Sequence, residues 1–366
     1  MSKAAELAKW GEVSTNGQVS GRRNIVYNGA MQVAQRSTST TGLGANGSTY
    51  NTLDRFKTSF SSTAGRLTMS QTADGPSGFA NCLKFDCTTA DTSIAAGEYL
   101  VLANRIEGQD LQQLKKGTSE AKAVTVSFYV KGNANATYAL ELYDAVGGRH
   151  ASQLFNVTTS WNRIVLTFNG DTTDTLADSN ALALEVNFWL HAGTNFTSGT
   201  LSADFASSDN TRRAAGISSF FDSTDRTFFL TGLQMEVGSV ATPFEHRSFG
   251  EELALCQRYL QKYTGVAAVK TFPHTAPLMA WNATNAANAM LSTTVTMRAA
   301  STVTESGLRL RSAELGNFDG TFAFASITVD GCDIGVGSVS PNLVTGNTYM
   351  ISSTDTSSYI QLDSEL

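Results

Sequence analysis

Residues 182–190, L-A-L-E-V-N-F-W-L, alternate large apolar side chains with small, polar or aromatic ones at every second position. Successive side chains of a β-strand point to opposite faces of the sheet, so this pattern predicts a strand with one apolar face. The pattern recurs at residues 124–130, 138–143, 161–168 and 229–235. Short strands of this kind, separated by Gly, Asn, Asp and Ser turns, predict a two-sheet antiparallel β-sandwich over residues 28–247.

The composition favours an all-β protein and argues against several other classes. Only 16% of the 366 residues are charged, and Thr, Ser, Asn and Gly make up the polar balance, with 31 glycines against 5 prolines. Such a composition suits strands and tight turns better than long helices or disorder. The net charge is −6, and no basic cluster is longer than Lys115-Lys116 or Arg212-Arg213. Nucleic-acid binding needs a concentrated positive face, so we expect no nucleic-acid partner.

The sequence contains no recognisable export or membrane signal. Its first ten residues hold no apolar run suited to a signal peptide, and no stretch approaches the roughly 18 apolar residues of a membrane span. We therefore expect the chain to be made in the cytoplasm without a cleaved signal, and not to insert into a membrane.

One helix is marked by its capping residues. Ser248 and Glu251 form a capping box, in which the serine hydroxyl accepts the Glu251 amide and the glutamate reaches back. Apolar residues follow at helical spacing, before Gly265 ends the helix, at Leu253, Cys256, Leu260 and Tyr263. The sequence thus predicts a connecting helix over residues 248–265 and a smaller C-terminal β domain over residues 266–366.

Residues 1–27 are interpreted as a leader that attaches the protein to a larger particle. Leu7 and Trp10 are its main apolar side chains, which are too few to bury against a core. We expect such a segment to become ordered only on binding. The leader runs into a candidate first strand at residues 21–33, closed by the turn signal Asn28-Gly29.

The motifs give no catalytic, cofactor or metal site. Residues 42–47, G-L-G-A-N-G, match the dinucleotide fingerprint by letter, but no buried strand precedes them and no helix follows, so a flexible turn is predicted. The four histidines lack the spacing of a helical zinc site. The acidic residues around Asp171 and Asp174 fail the EF-hand pattern and favour a solvated hairpin tip. We therefore expect a non-enzymatic protein without cofactors.

Cysteine and tryptophan positions add two further expectations. Cys82 and Cys87 would lie about 16 Å apart on one strand, beyond the disulfide limit of roughly 7 Å, so all four cysteines are expected to be free. Trp161 and Trp189 occupy the outward positions of their strands. Packing between strands or subunits is the favoured interpretation, and a sugar-stacking platform is the alternative.

Five blocks of sequence resemble a family of tail-fibre and appendage proteins from tailed bacteriophages. They are residues 21–36 (GRRNIVYNGAMQVAQR), 50–56 (YNTLDRF), 123–131 (AVTVSFYVK), 231–239 (TGLQMEVGS) and 241–259 (ATPFEHRSFGEELALCQRY). The resemblance covers roughly residues 1–300 and weakens beyond, as in a variable tip. It implies a jelly-roll sandwich similar to carbohydrate-binding modules, assembly as a homotrimer and attachment to a virion. It transfers no catalytic motif.

The resulting hypothesis is a structural virion protein, a trimeric tail-fibre or spike subunit attached by its N-terminus. Its C-terminal domain would contact host-surface glycan through Trp281, Tyr349 and Tyr359, because aromatic faces suit the C–H faces of sugar rings. The apolar stripe of the predicted helix would lie near the threefold axis, since closed symmetry covers exposed edges and apolar residues.

Two alternatives stay open. The first is a head fibre or decoration subunit that binds no receptor. The second is a polysaccharide depolymerase spike, although such spikes usually resemble long parallel β-helices, whose repeated coil pattern is absent from this sequence.

Overall fold

The computed structural model describes residues 3, 22–265, 272, 274–312 and 314–366. Leu7 and Trp10, the expected attachment residues, lie outside the described residues. The chain divides into two compact units, the first reaching Glu252 together with Leu366, and the second comprising Leu253–Glu365. In the described part of the chain, no helix is both long and apolar enough to cross a membrane.

The first unit is built almost entirely of antiparallel strands. In chain order they are β1 Ser39–Tyr50, β2 Phe56–Thr72, β3 Cys82–Thr89, β4 Tyr99–Glu107, β5 Val124–Gly132, β6 Ala136–Asp144, β7 Arg149–Val157, β8 Asn162–Phe168, β9 Leu182–Ala192, β10 Ala206–Ser207 and β11 Thr227–Val237. Short helices connect them: 3₁₀ helices at Gly108–Leu114, Asn210–Arg212 and Phe220–Asp222, and α1 at Thr194–Thr197. Helix α2, Phe249–Gln257, follows β11.

A single sheet, folded on itself, forms the sandwich. Its strand order is β10-β7-β6-β9-β4-β2-β3-β11-β5-β8, with β1 also paired to β2. The start of β2 pairs with β4 and its end pairs with β3, so this strand runs from one layer into the other. Between the two pairings, Ser62 has a φ of 52°, which bends the strand at the corner. The result is the jelly-roll-like β-sandwich expected for this chain.

The apolar faces of the two layers meet in the core. Phe128 on β5 packs edge-to-face against Phe155 on β7 and Phe188 on β9, with ring centroids 5.1 Å away in both cases. Phe128 and Phe188 are fully buried, as period-two alternation predicts for the inward positions. Truncating a buried phenylalanine of this kind costs about 3–5 kcal/mol. These contacts between layers hold the sandwich closed.

The predicted strand at residues 21–33 is not formed in its described part. Residues 22–38 contain no regular strand, and Asn28 and Met31 have φ values of 59° and 56°, which interrupt an extended chain. Isolated backbone hydrogen bonds, such as Ile25 N–H to the Met235 carbonyl at 2.9 Å and Leu233 N–H to the Gly29 carbonyl at 3.0 Å, and side-chain contacts hold this segment. The Glu245 carboxylate accepts the backbone N–H groups of Arg23 (2.8 Å) and Asn24 (2.6 Å). Residues 22–27, assigned to the leader from the sequence, are thereby fastened to the sandwich.

Two other sequence expectations need correction. Residues 42–47 do not form a flexible turn but lie within β1, whose pairing with β2 contains bulges. Asp171 is not at a solvated tip, because it is buried and accepts hydrogen bonds from Arg149 at 2.8 and 3.1 Å. Lys116 lies 3.3 Å from the same carboxylate. The cationic side chains of Arg149 and Lys116 therefore pair with the Asp171 carboxylate.

The predicted connecting helix is shorter than expected, and its apolar stripe does not face outward. Helix α2 ends at Gln257, while Leu260 and Tyr263 lie on the next strand, Leu260–Thr264. Cys256 and Leu260 are fully buried within the single chain and Tyr263 is 8% exposed, so these three side chains offer almost no surface to a partner. Leu253 is half-buried. Leu260 and Tyr263 form a strand despite their helical spacing, because residues 260–264 pair with residues 359–363.

The second unit combines a closed barrel with a small sheet. Its strands are β12 Leu260–Thr264, β13 Leu278–Ala280, β14 Ala286–Ser292, β15 Thr302–Ser306, β16 Leu308–Ser312, β17 Gly316–Ala325, β18 Gly331–Ser340, β19 Thr348–Ser353 and β20 Tyr359–Asp363. The barrel order is β13-β14-β18-β17-β16-β19, and β12-β20-β15 form the sheet. Closure removes the sheet edges that would otherwise pair with other chains.

Candidate functional site

The three rings expected to bind glycan occupy different environments. Tyr349 is fully buried in the second unit, where its ring packs on Phe318 with centroids 5.2 Å apart and its hydroxyl oxygen accepts the Val344 N–H at 2.9 Å. Its assignment as a binding ring was therefore wrong. Tyr359 is half-buried on β20, with the Lys262 ammonium 4.9 Å from its ring centroid.

Trp281 is the most exposed of the three, at 67%. It directly follows β13 in the barrel, whereas Tyr359 belongs to the separate three-stranded sheet. The structure thus does not bring the three predicted residues together on one strand or one sheet. An exposed ring by itself can contact a sugar, but selectivity needs polar groups fixed around the same pocket.

A better-formed site lies on the outer face of the sandwich. Strands β1, β2, β4 and β9, together with α1 and residues 210–213, line a groove of about 360 Å³. Tyr99 and Phe196 are half-buried on its walls, and Trp189 is only 2% exposed at its base. The three rings touch one another, with centroid separations of 5.9 Å for Tyr99–Trp189, 5.4 Å for Tyr99–Phe196 and 5.3 Å for Trp189–Phe196. They form a fixed aromatic cluster.

A buried carboxylate organises the polar side of the groove. Glu141 on β6 is fully buried and accepts two parallel hydrogen bonds from Arg213, at 2.7 and 2.8 Å. The indole N–H of Trp189 donates to it at 2.9 Å, and the Asn187 amide donates at 3.1 Å. His150 Nδ1 lies 3.0 Å from the same carboxylate. An ionised carboxylate only accepts, so His150 carries its proton on Nδ1.

This network controls the charge of Glu141. Burial alone would raise its pKa, but the hydrogen bonds from His150 and Arg213 outweigh that effect and lower the pKa to about 2. The Arg213 guanidinium also lies over the Trp189 ring, 4.9 Å from its centroid. A carboxylate that is ionised at neutral pH thus holds both a cation and a ring of the groove in place.

Polar groups also line the rest of the groove. Arg105 Nη2 and Glu185 Oε1 are 2.6 Å apart, and Asn187 donates to Glu185 at 3.2 Å. The hydroxyls of Ser48 and Ser59 are hydrogen-bonded at 2.7 Å on the exposed side. A slightly larger depression of 410 Å³, around Lys115 and Glu120, contains no aromatic side chain. Of these two cavities, the groove is the one that combines aromatic rings with fixed hydrogen-bonding groups.

The sequence pointed to this groove only in part. Trp189 was considered as a sugar platform but was favoured as a packing residue, and it packs beneath the groove instead of standing open. The period-two alternation places Glu141 and Asn187 at outward positions on their strands but does not single them out. The missed signal was that charged, amide and aromatic side chains occupy outward positions on β6 and β9, which pair directly.

No family model matches the chain, and a search of curated proteins finds no match. Several solved structures are similar to it. Tailspike protein 4 of bacteriophage CBA120, in a structure of its enzymatically active domain, is 14% identical over 58% of this chain and 21% of that one, with a TM-score of 0.31. This chain thus spans about a fifth of that tailspike's length.

Carbohydrate-binding modules are also similar. A CBM4 structure is 10% identical over 58% of this chain and 99% of the other, with a TM-score of 0.30. A family 11 module from Clostridium thermocellum, in complex with a β-1,3-1,4-mixed-linked tetrasaccharide, is 11% identical over 56% of this chain and 99% of the other, with a TM-score of 0.28. At these TM-scores the similarities carry no functional argument, and the site must be judged on its own geometry.

Proposed function

We propose that this chain is a structural subunit of a phage fibre or spike that binds surface glycan in the groove of its sandwich. The observation that carries the proposal is the groove itself, where half-buried Tyr99 and Phe196 stand beside Arg105 and Glu185. A sugar ring has an apolar C–H face and a rim of hydroxyls. Fixed rings and fixed charged groups side by side match both features.

The proposal relocates the receptor contact from the C-terminal domain to the sandwich. Tyr349 is buried, and Trp281 is an exposed residue just after β13, whereas the groove holds three rings in mutual contact. The virion context rests on the sequence resemblance of residues 1–300. Assembly as a homotrimer would present three grooves on one particle, so that weak individual sites combine into strong attachment.

The groove favours binding over hydrolysis. Glycoside cleavage needs one carboxyl group kept protonated as an acid and a second one facing the sugar. Glu141 is held ionised and enclosed by its donors, and Glu185 is paired with Arg105 at 2.6 Å. Neither carboxylate is arranged to deliver a proton, so we propose that the protein is not an enzyme.

The test is a microarray of bacterial capsular and lipopolysaccharide glycans probed with the labelled full chain. Phe196→Ala removes one ring from the groove, and Arg105→Gln removes one charged donor. Each should weaken binding to the best glycan by about 10-fold, since losing one stacking or charged contact costs about 1.4 kcal/mol. Trp281→Ala is the control, because it removes an exposed ring from the second unit.

The outcomes separate the possibilities. Undiminished binding by both groove variants, or loss of binding in Trp281→Ala, would contradict the groove as the site. Absence of any bound glycan would favour an architectural subunit without receptor function. Shortening of the arrayed polysaccharide would support a depolymerase and contradict the non-enzymatic proposal.

A further inference from the structure

A buried cluster of metal-ligating side chains lies in the sandwich unit, separate from the Glu141 network. Asp91 and Glu98 flank the loop between β3 and β4, and His191 lies near the end of β9. Their exposures are 4%, 5% and 0%, so all three are enclosed by protein. One ligand atom from each lies within 4.8 Å of the other two.

A β-bulge turns His191 toward the interior. Val101 pairs with Trp189, both on the outer face, but the next pair is Leu100 with His191, which leaves one extra residue on β9. Paired residues share a face, and Leu100 belongs to the core, so the bulge moves His191 to the core side. There its ring packs on Phe221 with centroids 5.2 Å apart.

Hydrogen bonds fix the Asp91 carboxylate and the backbone at both ends of the loop. Asp91 accepts the Thr63 hydroxyl at 2.8 Å and the Ala64 N–H at 2.7 Å through one oxygen. The Asp91 N–H donates to the Phe221 carbonyl at 2.8 Å, and the Glu98 carbonyl accepts the Gly193 N–H at 2.8 Å. Both ends of the loop are therefore held in position before any ligand binds.

Two polar atoms of the cluster are left unsatisfied. Among the described residues, neither Glu98 Oε2 nor His191 Nε2 has a hydrogen-bond partner, and the two atoms are 3.5 Å apart. Leaving buried polar atoms unpaired is costly, which indicates a missing partner between them. Two ligands of a tetrahedral zinc ion with bonds near 2.1 Å are about 3.4 Å apart. The observed separation fits that geometry.

The other ring nitrogen is positioned as metal-binding histidines require. His191 Nδ1 lies 2.8 Å from Ser219 Oγ. When Nδ1 carries the proton and donates to this hydroxyl, the Nε2 lone pair faces Glu98. A hydrogen bond from the ring nitrogen that does not bind the metal fixes the tautomer and the orientation of a ligating imidazole.

We propose that Asp91, Glu98 and His191 bind one divalent transition-metal ion of the zinc class. A nitrogen ligand suits zinc, whereas calcium takes six to eight oxygen ligands. The bound ion ties the loop between β3 and β4 to β9. It also fixes the start of β4, because Tyr99 directly follows Glu98. This departs from the expectation of a metal-free protein, since the ligands come from separate strands and show no sequence motif. It does not depend on glycan binding.

The experiment uses untagged, full-length protein dialysed against chelator. Titration with Zn²⁺ should show about one ion bound per chain by calorimetry and by elemental analysis, with a rise in melting temperature. Calcium should produce neither effect. Co²⁺ should give the visible ligand-field bands of nitrogen and oxygen ligation without the near-ultraviolet band of thiolate ligation. The spectrum of the wild-type protein needs no variant and therefore decides between this site and the cysteines.

Variants locate the ion. His191→Gln should abolish stoichiometric binding, and Ser219→Ala should weaken it by about 10-fold through loss of the orienting hydrogen bond. His246→Gln, at an exposed histidine, is the matched control and should bind as the wild type does. The proposal is overturned if wild-type protein that has been dialysed against chelator binds no zinc. It is also overturned if His191→Gln binds zinc undiminished, or if the cobalt-bound protein shows thiolate bands.

Discussion

Replacing Glu141 with glutamine should destabilise the sandwich by about 3 kcal/mol at neutral pH. The pKa of this carboxyl falls from 4.5 to about 2 on folding, and each unit of difference corresponds to about 1.4 kcal/mol. Removing one partner from a buried ion pair independently costs about 3–5 kcal/mol, because the remaining charge is left unpaired. Arg213, 17% exposed at its side chain, would be that stranded charge.

The direction of the pKa shift determines how the stability effect of Glu141→Gln depends on pH. The folded-state pKa lies below the ordinary value, so the contribution of Glu141 is present above pH 4.5 and is lost as the pH falls toward 2. The difference in unfolding free energy between wild type and Glu141→Gln should therefore be full at neutral pH and should shrink below pH 4.5. Scanning calorimetry should show the sandwich transition lowered by about 6–12 °C at neutral pH.

The control is Glu120→Gln. Glu120 is 66% exposed at its side chain and pairs with an exposed Lys115, so solvent screens the pair and its loss should leave the sandwich transition almost unchanged. Equal effects of the two substitutions, or a Glu141→Gln difference that stays constant down to pH 2, would refute the assigned role of the network.

Three further predictions concern packing and thiols. Tyr349→Ala should cost about 3–5 kcal/mol in unfolding free energy, because the ring is buried, whereas Trp281→Ala should stay within about 0.5 kcal/mol; denaturant unfolding compares the two. Gly65→Ala would place a methyl group 2.4 Å from the buried Phe221 ring and should cost about 1–3 kcal/mol, while Gly250→Ala meets nothing within 4 Å and should stabilise its helix by up to about 1 kcal/mol. None of the four cysteines forms a disulfide and all are buried, and burial raises the pKa of three of them to about 11, so a thiol reagent at pH 8 should label them only after unfolding.

Strand periodicity was sufficient to predict much of the fold. Residues 182–190 form most of β9, and residues 124–130 form most of β5, because an apolar face buried on one side imposes strict alternation. The extent of β2, which serves both layers, was not predictable, since its corner depends on Ser62 adopting a positive φ. Likewise, β12 is a strand because it pairs with β20 from the far end of the unit.

The groove was harder to predict for a related reason. Glu141 occupies an outward position on β6, where a charged side chain ordinarily meets water. It is buried because Arg213, distant in sequence, covers it, and because β9 lies between β6 and β4 in the sheet. Which strands become neighbours depends on pairing between distant parts of the chain, so the local sequence does not predict it. The same holds for His191, whose direction depends on a bulge that alternation alone does not predict.

The most direct test of glycan binding in the groove is the amide and indole ¹H–¹⁵N spectrum of the full chain during titration with its best arrayed oligosaccharide. The chain has four tryptophans, whose indole signals are assigned by single substitutions to phenylalanine. The Trp189 indole N–H, bonded to Glu141 beneath the groove, should shift in proportion to occupancy, while that of Trp281 should stay in place. A shift of the Trp281 signal with an unmoved Trp189 signal would contradict the proposed site and return the receptor contact to the C-terminal domain.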